Sequence, residues 1–207
     1  MVRVGIVRHG MTNPNKRSEC LGLRDVDINA EGRAAIGKFA IRYIHGENDF
    51  FEQIYTSPLE RAYSSACPIG LRNSLFRPHR PKIIEPALIE RDWGDWEGKT
   101  MKQIEQEYPE EYAAFCADKL NYVVPGGEPS SAVQARVNEF LDRVLPEYDN
   151  TRGLCLVTHL GTARHIISRL LDLPPERSWD FWLDPASAAE IHYDLATKRG
   201  VLRRLSW

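Results

Sequence analysis

The chain has 207 residues, 43% of them hydrophobic and 27% charged, with a formal net charge of -2. That length allows one substantial core, and the composition is ordinary for a soluble globular protein. The near-neutral balance offers no electrostatic footprint for a nucleic acid or an anionic membrane, and no apolar run reaches bilayer-spanning length. In chain order, Val2 to Val7 is short, apolar and β-branched, and reads as a buried strand. Gly10 to Asn29 shows no periodicity and reads as a long loop of the kind that often carries function. Asn29 is placed to cap a helix that runs to about His45.

Glu52 to Thr56 reads as a second strand, and Ser57-Pro58 opens a helix to about Arg72. Pro81 to Glu85 is a third strand, and Asp92 to Gly98 a turn rich in Gly and Trp. Met101 to Tyr108 and Pro109 to Asp118 form two short helices before the break at Pro125-Gly126-Gly127. Ser130 to Tyr148 is an amphipathic helix with Val133, Val137, Phe140, Leu141 and Val144 at helical spacing. Gly153 to Thr158 is a strand, Gly161 to Leu171 a helix, and Ser187 to Tyr193 and Val201 to Leu205 are closing strands. The alternation predicts an α/β three-layer sandwich: a mostly parallel, mixed sheet flanked by helices, with a small helical cap at about 92–127. We expect a single domain over 1–207.

Cys20, Cys67, Cys116 and Cys155 are widely spaced, with no CxxC and no zinc-type Cys/His spacing. Reduced thiols in a cytoplasmic protein are the expectation. The apolar stretch before Arg8-His9 is too short for a secretory signal.

Ligands of open α/β sheets bind beyond the carboxyl ends of the strands. There this chain places Arg8-His9-Gly10, Ser57-Pro58-Leu59-Glu60-Arg61, the segment Glu85 to Glu90, and Thr158-His159-Leu160-Gly161. A neutral imidazole can attack phosphorus, guanidinium forks suit phosphate oxygens, and a carboxyl can protonate a departing alkoxide. Each residue alone has a plainer reading: a solvated helix arginine for Arg61, a hydrogen-bonded strand-end histidine for His159, a generic charged loop around Glu90. Their coincidence at four strand ends favours chemistry over structure.

The blocks VRHGMTNPNKRSECLGLRDVDINAEG, TSPLERAYSSA, LIERDWGDWEGKT, VPGGEPSSAVQARV and LVTHLGTARHI, in that order, resemble the histidine phosphatase superfamily, in its phosphoglycerate-mutase-like branch. The resemblance covers nearly the whole chain. It implies His9 as nucleophile, Arg8, Arg61 and His159 as phosphate-binding and catalytic partners, and Glu90 as general acid and then base. Asn15 matches a loop asparagine that contacts phosphate in some members, and a turn role is its alternative. Glu97 and Gly98 match the same motif and are read as shaping a turn. The resemblance implies a metal-independent, cofactor-free phosphomonoester hydrolase that works through phosphohistidine on a small phosphorylated metabolite. The chain has no Walker loop, HExxH or EF-hand pattern.

Met11 stands where many members carry Glu or Gln, and Leu21 where mutases commonly carry a small hydroxyl residue. No tandem arginine pair lies in the cap region. These departures favour hydrolysis over one alternative, a phosphoglycerate mutase; the presence of all five catalytic-type residues argues against another, a phosphate-reading binding module, and a regulatory protein phosphatase stays open. Specificity is expected from Met11 to Arg24 and from the cap. Trp93, Trp96, Tyr108, Tyr112, Phe115 and Tyr122 are candidate walls, and Lys99, Lys102, Lys119 and Arg24 candidate contacts for a second anionic group. Packing and solvation are the respective alternatives. No nucleic-acid or membrane partner is expected; oligomeric state is left open, with a homodimer compatible.

Overall fold

The computed structural model describes residues 1–45, 50–76, 81–148 and 153–205. Its frame is a six-stranded sheet in the order β3-β2-β4-β1-β5-β6. The strands are β1 (Val2–Arg8), β2 (Gln53–Thr56), β3 (Ile83–Ile84), β4 (Gly153–Thr158), β5 (Ala188–Asp194) and β6 (Arg199–Leu205). β1, β4, β2 and β3 run parallel, while β5 and β6 are antiparallel, which makes the expected mixed edge.

The helices are α1 (Asn13–Lys16), α2 (Ala30–Tyr43), α3 (Glu60–Asn73), α4 (Met101–Glu107), α5 (Pro109–Ala117), α6 (Ser130–Val144) and α7 (Leu160–Leu170). Strand alternation sorts the core into two layers. Val2, Val4 and Ile6 of β1, with Leu154 and Leu156 of β4, pack against Val133, Val137, Phe140 and Val144 of α6 and Ile166, Ile167 and Leu170 of α7. Val7, Cys155 and Val157 face the other way, onto Ile36, Phe39 and Tyr43 of α2 and Ala62, Ala66 and Ile69 of α3. A third cluster, Trp96, Ile104, Phe115 and Val124, lies within 92–127.

Most expected elements are present with small shifts at their ends. The loop after β1 contains a short helix, α1, because Thr12 caps it by accepting from Asn15 N and Pro14 opens it. The helix expected to reach Tyr148 ends at Val144 and continues as a 3-10 turn over Leu145–Glu147. Pro146 has no N–H to continue the α ladder. The third strand shrinks to two residues at the sheet edge. Cys20, Cys67, Cys116 and Cys155 are free thiols. Among the described residues, no helix is long and apolar enough to cross a membrane.

Candidate active site

Parallel register is what brings the site together. Arg8 at the end of β1 lies opposite Thr158 at the end of β4, so the next residues, His9 and His159, are neighbours with ring centroids 5.1 Å apart. Thr56 of β2 lies opposite Val157, which puts Ser57 and the start of α3 on the other side of His159. The backbone of His9 is held from both sides: its N–H donates to Thr158 O (3.0 Å) and its carbonyl accepts from Ala186 N (3.0 Å). Gly10 N donates to Ser65 Oγ, itself bonded to Arg61 O. A Cβ on Gly10 would lie 2.8 Å from Gly32 O, so α2 can approach the loop only at a glycine.

The hydrogen bonds assign the tautomers. His9 Nδ1 lies 2.7 Å from Gly10 O. A carbonyl only accepts, so Nδ1 carries the proton and Nε2 keeps its lone pair. Arg61 Nε donates to His159 Nδ1 (3.1 Å), so in His159 the proton is on Nε2, which donates to Ser57 Oγ (2.8 Å). Both imidazoles are buried, and desolvation first, with Arg61 next, pushes their pKa values well below 6.5. His9 is therefore a neutral ring with a free nitrogen, beside permanent cations.

Arg61 is wholly buried. Besides His159 it donates to Arg24 O (2.7 Å) and Gly22 O (2.8 Å), which ties the loop after β1 to the strand ends. One N–H on each terminal nitrogen remains. Glu97 reinforces that tie by accepting from Leu23 N (2.6 Å), so its turn-shaping reading extends to holding the neighbouring loop. Arg8 donates from Nη1 to Leu183 O, its buried Nε has no partner, and burial lowers its pKa to about 10.

Glu90 follows the 3-10 turn Pro86–Leu88. Its main chain is pinned by Thr162 Oγ1 on Ile89 O (2.7 Å) and by Arg136 Nη2 on Ile89 O and Glu90 O. Its carboxylate accepts from Arg91 N and from Gly161 N near the start of α7. Gly161 permits that approach, since a Cβ there would sit 2.5 Å from Glu90 Oε1.

These side chains line one cavity of about 550 Å³, with Arg8, His9, Asn15, Arg61 and Glu90 among its walls. Asn15 Oδ1 is buried without a partner. His159 stands behind that wall, against His9 and Arg61. The arrangement offers a neutral nucleophilic nitrogen, guanidinium N–H groups for an anion and a carboxyl at its edge.

Of the expected cap walls only Trp93 reaches the cavity. Trp96 and Phe115 are buried in the cap's own cluster, with Tyr108, Tyr112 and Tyr122 packed against it. None of Lys99, Lys102, Lys119 and Arg24 lines the cavity. Lys99 pairs with Glu107 (2.7 Å), Lys119 lies over Trp179, and Arg24 lies 3.7 Å from Glu19. The walls that sequence reasoning missed include Arg91, next to Glu90, and Arg164, His165, Ser178, Trp179 and Trp182, on α7 and the segment after it. A signal was present in Arg164 and His165, five and six residues beyond His159 on the same helix.

The family model of the histidine phosphatase superfamily, branch 1, matches residues 4–205. The adenosylcobalamin/alpha-ribazole phosphatase of Escherichia coli (strain K12) is 31% identical over 200 residues, covering 96% of this chain and 94% of the relative. Phosphoserine phosphatase 1 of Hydrogenobacter thermophilus is 29% identical over 206 residues, covering 100% and 92%. Among solved structures, the mycobacterial glucosyl-3-phosphoglycerate phosphatase in complex with VO3 superposes with a TM-score of 0.82 at 26% identity, covering 99% of this chain and 98% of the other.

Proposed function

The chain belongs to the histidine phosphatase superfamily and is a phosphatase of that type, and from that premise we propose that it hydrolyses a small phosphomonoester through a phosphohistidine at His9, without a metal ion. The observation that carries this reading is the His9 ring: Nδ1–H is committed to Gly10 O, which leaves Nε2 as a lone pair in a pocket of guanidiniums.

In the first step His9 Nε2 attacks phosphorus in line with the ester oxygen. The N–P bond forms as the P–O bond breaks, and the carboxyl of Glu90 gives its proton to the departing alkoxide. The positive charge that develops on the ring is shared through Nδ1–H with Gly10 O. Arg8, the free N–H groups of Arg61, and Asn15 hold the three equatorial oxygens, where most of the transition-state charge lies. His159 turns its Nε2–H from Ser57 to the same oxygens. In the second step water attacks phospho-His9 while Glu90 takes its proton, which restores both groups. Depression of the His9 pKa keeps the nucleophile unprotonated well below pH 6.5.

A localisation in the cytoplasm and a single domain over 1–207 are part of the same proposal. The relatives carry the names of alpha-ribazole, phosphoserine and glucosyl-3-phosphoglycerate phosphatases, so the leaving alcohol is expected to be a small polar molecule. The test is hydrolysis of p-nitrophenyl phosphate from pH 5 to 8 with excess EDTA, for the native chain and His9→Ala. Activity in EDTA that vanishes in the variant is expected. Activity that EDTA abolishes, or that survives in His9→Ala, would refute the mechanism.

A further inference from the structure

A single peptide unit joins the cap to Arg61. Its carbonyl, Gly22 O, accepts from Arg61 Nη2 (2.8 Å), and its N–H, on Leu23, donates to Glu97 Oε1 (2.6 Å). A trans peptide is planar and points its C=O and N–H in opposite directions, so partners on its two sides fix the plane between them. A carboxylate on the N–H and a guanidinium on the C=O also polarise the unit in the same sense, and each bond strengthens the other. The unit sits in a tight turn, closed by Arg24 N on Leu21 O (3.0 Å), with Gly22 at φ +52°. A Cβ on Gly22 would run into the Glu97 carboxylate, so this contact requires glycine. The turn ends at Arg24, whose carbonyl accepts from Arg61 Nη1 (2.7 Å).

Both ends of this chain of contacts are anchored. Glu97 N donates to Gly94 O (3.0 Å), which ties it to the 3-10 turn Gly94–Trp96, and Trp96 is buried in the cap's apolar cluster. The residues after Glu97 are laced to the loop by main-chain bonds: Gly98 N on Cys20 O (2.8 Å), Cys20 N on Lys99 O (2.8 Å), and an antiparallel bridge between Glu19 and Thr100. The cap therefore presents Glu97 to the turn along a short two-stranded seam. At the other end, Arg61 spends three N–H groups on two carbonyls and on His159 Nδ1. These acceptors are neutral, so they aim the guanidinium without cancelling its charge. A planar fork held at three points has the directions of its two remaining N–H groups fixed.

We propose that Glu97 is a positioning residue for phosphoryl transfer: through the Gly22–Leu23 peptide it sets the direction in which Arg61 offers its free N–H groups to the phosphoryl oxygens. This rests on the phosphatase reading above, which assigns Arg61 to those oxygens. Glu97 itself does not line the cavity, so it acts through Arg61 and not on the substrate. Arg61 Nε also fixes the tautomer of His159, so a turn that drifts away from Glu97 disturbs two phosphate-holding groups together. The loss falls on the transferred phosphoryl group and not on the leaving alcohol, which separates this role from that of Glu90.

The test is a double-mutant cycle between Glu97→Ala and Arg61→Lys, read on kcat/KM and on the affinity for inorganic phosphate by calorimetry, which needs no turnover. Glu97→Ala is expected to lower kcat/KM by about tenfold, the scale of one charge-assisted hydrogen bond, for p-nitrophenyl phosphate and alkyl phosphates alike, and to weaken phosphate binding similarly. Glu97→Gln keeps an acceptor for Leu23 N and is expected to recover most of the loss. In the Arg61→Lys background, Glu97→Ala should cost about twofold at most, because the group it acts through is already gone. Should Glu97→Ala fail to fold, Glu97→Asp, whose carboxylate stops one methylene short of Leu23 N, carries the same cycle. A purely structural role would lower Tm and leave the folded enzyme's phosphate affinity intact, or add the same loss in both backgrounds. Either result in an active native enzyme would overturn the positioning role alone. Failure of the native chain to hydrolyse any ester, p-nitrophenyl phosphate included, would overturn the phosphatase reading and the positioning role with it.

Discussion

Lowering the pH from 7.5 to 5.5 should destabilise this fold through three buried rings. His9, His159 and His165 each have a pKa below the ordinary 6.5, with desolvation the largest cause in every case. For His165 the value falls to about 4. The unfolded chain then binds more protons than the folded chain between each lowered pKa and 6.5. Stability is therefore complete above about pH 6.5 and is lost as the pH falls through that window. By pH 5.5 the His165 ring, held at about 4, should cost on the order of 1 kcal/mol, and His9 and His159 act in the same direction. Unfolded carboxylates titrate lower, near pH 4, so the interval isolates the histidines. His165 is the ring to test, because it is buried in α7, and its Nε2 lies 2.7 Å from Ser130 Oγ. His165→Gln can keep that hydrogen bond without titrating. Urea unfolding at both pH values should show the variant losing on the order of 1 kcal/mol less than the native chain. Equal losses in the two proteins would refute the assignment of this acid sensitivity to His165.

Glu90→Gln should slow alkyl phosphates by about 100-fold or more, and p-nitrophenyl phosphate far less, because a good leaving group needs little protonation; equal losses in steady-state kinetics would point to another acid, with Asp92 the nearest in sequence. Gly161→Ala places a methyl group 2.5 Å from Glu90 Oε1, so it should reproduce the same leaving-group dependence in milder form with little change in Tm. Phe140→Ala removes a buried ring that packs edge-on against Tyr55, 5.4 Å between centres, and should cost about 3–5 kcal/mol in chemical denaturation.

Much of the candidate site was legible because the proposed nucleophile and its partners sit at strand ends, where short β-branched runs stop at recognisable polar residues. The Val2–Val7 and Gly153–Thr158 runs placed His9 and His159 at neighbouring termini, and the parallel register completed the pair. Arg61 was legible from Ser57-Pro58, although the helix begins two residues later than that pair suggests, at Glu60 with Leu59 as its N-cap and no side-chain cap. Its second role, holding Gly22 O and Arg24 O, depends on the path of a loop without periodicity and could be seen only in three dimensions. The cap aromatics kept two readings, wall and packing, for a related reason. Composition does not distinguish a ring that fills a small cluster from one that faces a cavity, and Trp96 and Phe115 fill the cluster. Trp179 lies in the short 3-10 segment Pro175–Asp180 and Trp182 just beyond it, where no repeat pattern indicates which side chains turn inward. The ends of α6 and β3 followed local chemistry, a proline in one case and an edge position in the other.

The central claim is a covalent bond between phosphorus and His9 Nε2. Rapid acid-free quenching of the enzyme with substrate in EDTA, followed by peptide mass spectrometry under neutral conditions, tests it most directly. The account predicts an acid-labile phosphoryl group on the peptide carrying His9, formed at the rate of the first step, trapped longer when Glu90 is Gln, and absent from His9→Ala. A turning-over enzyme with no phosphopeptide at the quench times of the burst, or with the group on another residue, would contradict it.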